Sequence, residues 1–301
     1  MKKVLKWIGI ILGGLLGLIV LAALVLFLIG NSRLEKTYQI DAQPVSIPTD
    51  AASLELGKHR VEGLCAGCHG PDLGGVTNWF NGGPLGTIDS ANLTSGEGGV
   101  GQRYQSVADY VRAIRHGVNQ QGKPIFMPAV VSFNHMSDRE LGAVIAYIQS
   151  LPPVNHQTTG HHFTPLAKIM LAAGMLGQLP VESVDHVTQP VDVPAGATVE
   201  YGKYLASISD CLLCHGPNLA GAKFPDPTKN LITPNLTPAG DLATWTTQDF
   251  INTIRTGFTP SKRALSPELM PWDYYKKDTD EELTAIFLYL QSLPAVPTQG
   301  Q

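Results

Sequence analysis

Cysteine is scarce in this 301-residue chain: there are four, and all of them fall within two short stretches. A disulfide framework needs pairs distant in sequence, usually in a small domain, so these four do not form one. Charge is also sparse. Asp, Glu, Lys and Arg make up 15% of the residues, and beyond residue 36 there are 16 basic side chains against 24 acidic ones. That balance excludes nucleic acid as a partner. Period-two alternation of apolar and polar residues is nearly absent, so little or no sheet is expected. Long apolar runs are missing too, except for one.

That run is Trp7 to Gly30, 24 residues without a charge, preceded by Lys2, Lys3 and Lys6. As a helix it is about 36 Å long, enough for a hydrocarbon core of about 30 Å. The apolar part of a cleaved signal is only about 7–15 residues, so an uncleaved transmembrane anchor is expected. Positive charge ahead of the run keeps the N-terminus in the cytoplasm and places the rest of the chain outside. Gly (31) and Pro (22) are frequent, which points to loop-rich domains.

The two cysteine stretches are CAGCHGPDLGG (65–75) and CLLCHGPNLAG (211–221), identical at seven of eleven positions. The likeness continues on both sides. LELGKHR (54–60) parallels VEYGKYL (199–205), and Asn92-Leu93-Thr94 parallels Asn235-Leu236-Thr237. DYVRAIRHG (109–117) parallels DFINTIRTG (249–257), and LGAVIAYIQSLP (141–152) parallels LTAIFLYLQSLP (283–294). Two copies of one unit of about 100 residues explain this order, each copy long enough for its own core.

Each copy reads as helical. Ser137 with Glu140, and Thr279 with Glu282, are capping boxes ahead of helical apolar spacing, and Pro152 and Pro294 stop those helices. Ser106 with Asp109, and Thr246 with Asp249, open the preceding helix in each copy. Between the copies lies a fourteen-residue apolar segment, Leu166 to Leu179, too short to span a membrane. It is expected either to pack between the units or to dock on the membrane or a partner.

The CxxCH pattern narrows the chemistry. A thioredoxin-type site needs a βαβ context, and a zinc ribbon needs its two CxxC pairs close together, whereas 143 positions separate Cys68 from Cys211. The remaining reading is covalent haem attachment, in which two thiols bond the haem vinyls and the adjacent histidine ligates iron. Cys65 and Cys68 would hold one haem c and Cys211 and Cys214 a second, with His69 and His215 as the first axial ligands. A sixth ligand for pure electron transfer is Met or His and must stand at equivalent places in both copies. Met127 and Met270 do, each followed by Pro and each shortly before the last helix. Met136 has no counterpart, and Met170 and Met175 lie in the connecting segment. The other histidines read as ordinary surface or hydrogen-bonded side chains.

With these motifs in view, both copies resemble class I cytochrome c domains, over about two thirds of the chain. The pattern CHGP…NLT…DF…RxG…MP…QSLP is similar to that of cytochrome subunits of membrane-bound alcohol and gluconate-type dehydrogenases. Those subunits carry three haems and a C-terminal anchor, whereas this chain has two motifs and an N-terminal apolar run. The resemblance implies an all-α fold of two tandem class I cytochrome c domains after a transmembrane helix. The expected boundaries are 1–32 for the anchor, 51–155 for domain 1, 156–195 for a linker with a short apolar helix, and 196–298 for domain 2. It implies that Gly57 meets Tyr147 and Gly202 meets Tyr289 where the first and last helices cross, and that Asn92, Asn235 and Trp245 lie near the haems. The implied function is a membrane-anchored dihaem relay of single electrons on the periplasmic side. Its redox partners would be a dehydrogenase, a quinol-oxidising complex or a terminal oxidase. The alternative is an electron-transfer subunit of a membrane-bound dehydrogenase or respiratory complex. A dihaem enzyme of the peroxidase or thiosulfate dehydrogenase type competes less well, since it requires a haem with an open, His or Cys ligand, where both copies here offer Met.

Overall fold

The computed structural model describes residues 2–224 and 229–299. Helix α1 (Lys2–Glu35) is, among the described residues, the one helix long and apolar enough to cross a membrane. The first unit contains α2 (Ala51–Leu64), α3 (Ala66–His69), strands β1 (Phe80–Asn81) and β2 (Gly86–Ile88), α4 (Val100–Arg103), α5 (Val107–His116), α6 (Val130–Phe133) and α7 (Asp138–Ser150). Strand β3 (His161–Phe163) and α8 (Pro165–Ala172) follow. The second unit contains α9 (Val199–Ile208), α10 (Cys211–His215), α11 (Thr247–Thr256), α12 (Trp272–Tyr275) and α13 (Asp280–Ser292).

In both units the first helix crosses the last, α2 on α7 and α9 on α13. The crossing is close enough to exclude a side chain: a Cβ on Gly57 would overlap the carbonyl oxygen of Ala143, and one on Gly202 that of Ala285. Tyr147 flanks the first crossing as expected, with its Cβ just beyond Ala143. At the second, the neighbours closest to Gly202 are Ala285 and Ile286 rather than Tyr289. Leu141, Val144, Ile145 and Ile148 of α7, and Leu283, Ile286, Phe287 and Leu290 of α13, are the buried faces behind these contacts.

The little sheet expected is a small antiparallel one, β1-β2-β3, with Phe80 opposite Ile88 and Thr87 opposite His162. The strands are two or three residues long, too short to leave an alternating pattern in the sequence. Because β3 follows α7, the start of the connecting segment is tied to the first unit. Of the two placements expected for the connecting apolar segment, helix α8 does not take the one between the units. It lies along the last turns of α1, where a Cβ on Gly30 would overlap the Lys168 carbonyl, and Arg33 donates to the Leu171 carbonyl oxygen at 2.8 Å.

The units meet across a seam related by an approximate two-fold pattern. Helix α6 of the first packs on α9 and α10 of the second, and α12 of the second packs on α2 of the first. At its centre Arg60, 4% exposed, donates to both oxygens of Glu140 (Nε 2.8 Å, Nη2 3.2 Å), to Glu282 (2.7 Å) and to the Tyr201 hydroxyl (2.8 Å). Glu140 and Glu282 are the third residues of α7 and α13, so one guanidinium joins the starts of both terminal helices. This alters one predicted capping box. Thr279 and Glu282 complete theirs, but Glu140 turns to Arg60, and the Ser137 N–H donates instead to the Tyr204 hydroxyl at 3.2 Å. The second unit has Leu205 where the first has Arg60, so the seam holds one such cation.

Removing one partner of a buried ion pair strands the others, at a cost of about 3–5 kcal/mol. Arg60→Leu is expected to lose about that much unfolding free energy, read from the denaturant midpoint.

The seam also carries a pH signature. His59 is raised above its usual value of 6.5, first by its hydrogen bond to Glu282, so its contribution is complete below 6.5 and is lost as pH rises through the folded value. Burial and then the Glu282 charge push Asp278 from 3.8 to about 7, a cost that grows as pH climbs between those values. Burial works to raise Glu282, but the His59 hydrogen bond and the Arg60 charge prevail and hold it at about 2, so its contribution is lost as pH falls below 4.5. The seam is therefore expected to be strongest at about pH 4–5 and to weaken toward both pH 2 and pH 8. Denaturant midpoints measured across pH check this, and Asp278→Asn should flatten much of the alkaline limb.

Candidate cofactor sites

In each unit the helix that crosses its partner runs into the CxxCH turn. The Cys65 N–H closes onto the Val61 carbonyl oxygen at 2.9 Å, and the His69 N–H onto that of Cys65 at 3.0 Å. The two cysteines and the histidine thus stand at i, i+3 and i+4, one face of a single turn. The same spacing recurs along α10. All four thiols are free and half-buried. Burial pushes Cys65 and Cys211 up to about 12, and Cys68 and Cys214 to about 11, so none is a thiolate.

The histidines are oriented alike. His69 Nδ1 lies 2.7 Å from the Ala91 carbonyl oxygen, and His215 Nδ1 lies 2.9 Å from that of Pro234. These carbonyls occupy equivalent places, one residue before Asn92 and Asn235. A carbonyl at Nδ1 assigns its proton and leaves Nε2 as a free lone pair, the tautomer a metal ligand needs. Burial lowers both histidines, which favours the neutral ring. Two free thiols and a pre-oriented neutral imidazole on one turn fit covalent haem in both units.

The identical residues after the histidine build its support. Gly70 (φ 81°) and Gly216 (φ 82°) turn the chain, and Leu73 and Leu219 sit buried at φ 59°. That backbone is costly for leucine by about 1–2 kcal/mol, offset by side-chain burial of similar worth. The Gly75 N–H closes the loop onto the His69 carbonyl oxygen at 2.9 Å, and Gly221 onto that of His215 at 3.0 Å. Each of these glycines presses against a facing strand of backbone, so a Cβ would come within 2.7 Å of the Ser90 or Thr233 carbonyl oxygen.

Asn92 and Asn235, expected near the haems, directly follow the carbonyls that hold the two histidines. Both are buried, and their amides brace backbone. Asn92 Nδ2 donates to the Val154 carbonyl oxygen at 2.7 Å, and Asn235 Nδ2 to that of Val296 at 2.9 Å. Their Oδ1 atoms accept from the N–H and hydroxyl of Thr94 and Thr237. They tie the loop carrying the histidine's carbonyl partner to the segment beyond the last helix. Trp245 is half-buried against the core.

Met127 and Met270 are both half-buried against the core, at equivalent points. The Met127 carbonyl accepts from the Val130 N–H as α6 begins, and the Met270 carbonyl accepts from the Trp272 N–H as α12 begins. Each methionine therefore opens directly onto the seam helix of its own unit. Met136, 2% exposed, is core.

The seam brings the two CxxCH turns together. Gly67 of α3 lies under the Tyr274 ring of α12, and α6 touches α10. Between the turns stands Asp210, at φ 57°, immediately before Cys211. Burial raises its carboxyl above the usual range against the opposing Ser132 hydroxyl of α6, its Oδ1 is buried without a partner, and its charge acts on Cys65 and Cys68 as well as on Cys211 and Cys214. The sequence holds one signal for it: the first unit has Leu64 in this place, so the repeat breaks at the residue whose charge acts on both motifs.

Comparison with known proteins agrees with this geometry. A family model described as cytochrome c matches residues 54–152 and 199–294. The fructose dehydrogenase cytochrome subunit of Gluconobacter japonicus is 27% identical over 87% of this chain and 57% of its own length. The alcohol dehydrogenase (quinone) cytochrome c subunit of Gluconacetobacter polyoxogenes is 28% identical over 83% of this chain and 58% of its length. A nicotinate dehydrogenase subunit of Pseudomonas putida is 28% identical over 86% of this chain and 23% of its length. The chain thus spans a little over half of two of these relatives and about a quarter of the third.

An ionised Asp210 beside both attachment turns would favour the ferric state of the irons held there. For a unit charge on the order of 10 Å from an iron, at an effective dielectric of about 20, Coulomb's law gives about 1–2 kcal/mol, or several tens of millivolts for one electron. Asp210→Asn is expected to raise both midpoint potentials by amounts of that order in a spectropotentiometric titration.

Proposed function

The chain belongs to the cytochrome c family, and we propose that it is a membrane-anchored dihaem electron relay. In this reading α1 crosses the cytoplasmic membrane and both units stand on its outer face. A membrane-bound dehydrogenase supplies electrons, and a quinol-oxidising complex or terminal oxidase is the further class of redox partner. The observation that carries the proposal is the meeting of two equivalent CxxCH turns at one rigid seam. The names of the curated relatives support a dehydrogenase as the donor.

Covalently bound haem supplies a one-electron iron couple. The chain's own residues do the rest. Cys65, Cys68, Cys211 and Cys214 are the attachment thiols. His69 and His215 present Nε2 because backbone carbonyls hold Nδ1. Met127 and Met270 would be the second protein ligands to the two irons, and a thioether in that role would raise the potential relative to a second nitrogen. A His and a Met held at each iron would leave no position for a substrate oxygen or sulfur, which would separate a relay from a dihaem peroxidase or thiosulfate dehydrogenase. The apolar packing around each site lowers the local dielectric and favours the less charged reduced iron. An electron taken up at one unit then has the second unit as its nearest acceptor, across α6, α12 and Asp210.

The ligand assignment is tested by substitution. Met127→His and Met270→His are each expected to abolish one sulfur–iron charge-transfer band and to lower one of the two midpoint potentials. A variant whose spectrum stays unchanged identifies a methionine that is not a ligand.

A further inference from the structure

Helix α1 has 34 residues, about 51 Å of helix, while a hydrocarbon core needs only about 20 residues. Lys6 and Arg33 bound the stretch from which those 20 can come. If they start immediately after Lys6 they end at Leu26, and any later start moves the boundary outward along the helix. The contacts made by the rest of the chain begin at or inside that boundary. Ala23, Leu26 and Phe27 are already half-buried. Lys168 of α8 lies 5.5 Å from the Phe27 ring centroid and donates to the Asn31 side chain at 2.8 Å. Along α8, Lys168 is level with Gly30 and Leu171 with Arg33, so its N-terminal turn is the end nearer the bilayer.

That end carries apolar surface. Ala167 and Leu171 face inward, whereas Leu166 is 46% exposed. A turn from the first unit is fastened beside it. The Thr164 N–H donates to the Leu85 carbonyl oxygen at 3.1 Å, and its hydroxyl to that of Pro84 at 2.8 Å. The Phe80 ring leans over Gly82 of this turn and is 44% exposed, with Trp79 beside it at 6.5 Å between ring centroids. Aromatic rings next to a spanning helix suit the headgroup zone, and Lys168 follows the usual pattern of a long cation reaching toward polar groups at that depth.

We propose that the first turn of α8 and the adjoining turn at residues 80–85 dip into the outer interface of the same bilayer that α1 crosses, with Leu166 and Phe80 seated among the lipids. This rests on the reading of α1 as a membrane anchor. The lipid surface is the occupant because the patch is continuous with the spanning helix. The consequence is orientational. A single helix leaves its cargo free to swivel, whereas a second point of contact holds the two units at one height and one rotation above the membrane. A partner in the same membrane would then always meet the same face.

The test uses the full haem-loaded chain in vesicles of phosphatidylethanolamine and phosphatidylglycerol. A photoreactive benzoylphenylalanine replaces, in separate variants, Leu166, Phe80, Ile19 within α1, and Phe258, which is exposed on the second unit. The expected result is strong lipid adducts at 19 and, at 166 and 80, several-fold more lipid adduct than at 258. Labelling at 19 with only the 258 level at 166 and 80 overturns the docking proposal and leaves the anchor standing. No adduct at any position, 19 included, overturns both.

Discussion

One buried guanidinium organises this protein. Arg60 is enclosed where the two units meet and neutralises two glutamates that belong to different units. Each glutamate is the third residue of a terminal helix, and each terminal helix is clamped to the first helix of its unit at a glycine crossing. The first helix of each unit leads directly into a CxxCH turn. A displacement of one unit against the other would therefore have to break charge-assisted bonds at Arg60 or pull apart one of the glycine contacts. The relative placement of the two attachment turns follows from that constraint.

The repeat is followed where it builds a haem site and broken where the units meet. Gly70 and Gly216, Leu73 and Leu219, Gly75 and Gly221 adopt matching backbone angles, and Ala91 and Pro234 present matching carbonyls to the two histidines. At the seam the copies diverge: Arg60 against Leu205, His59 against Tyr204, Leu64 against Asp210. A two-fold seam with Arg in both copies would bury two cations near one axis, which repel each other. One Arg facing two Glu, with tyrosine hydroxyls completing the remaining bonds, satisfies the buried groups without that repulsion.

Much of this is legible in the sequence, for a physical reason. Helix caps, proline stops, CxxCH spacing and glycine crossings are local, and local chemistry leaves local sequence patterns. Ser106 and Asp109, Thr246 and Asp249, and Thr279 and Glu282 cap the helices the sequence predicts. What escapes depends on contacts between distant segments. Glu140 looks like a capping-box residue until Arg60, 80 positions away, takes its carboxylate. Leu166 to Leu179 look like a helix packed between the units until α1 proves to be the surface it lies against. Asn92 and Asn235 are expected beside the cofactor, but their bonds to the Val154 and Val296 carbonyls, about 60 positions away, leave no sequence signal. The three short strands lack the length to show alternation.

A stable seam does not require an ion network. An apolar core of the same volume would hold the units together at least as firmly, because burying three charges costs most of what their attraction returns. What an apolar core lacks is direction. Leucine side chains tolerate small rotations of one unit on the other, whereas a planar guanidinium with a carboxylate on its Nε edge and another at Nη1 accepts a narrow range of angles. For the proposed electron relay, with two sites in one chain, that narrowness has a use. The rate between sites depends steeply on their separation, and Asp210 can act on both sites only while the two turns stay adjacent. The seam therefore gives up some stability in exchange for a defined geometry, and Arg60 sits where that exchange has the greatest effect on the pair of sites.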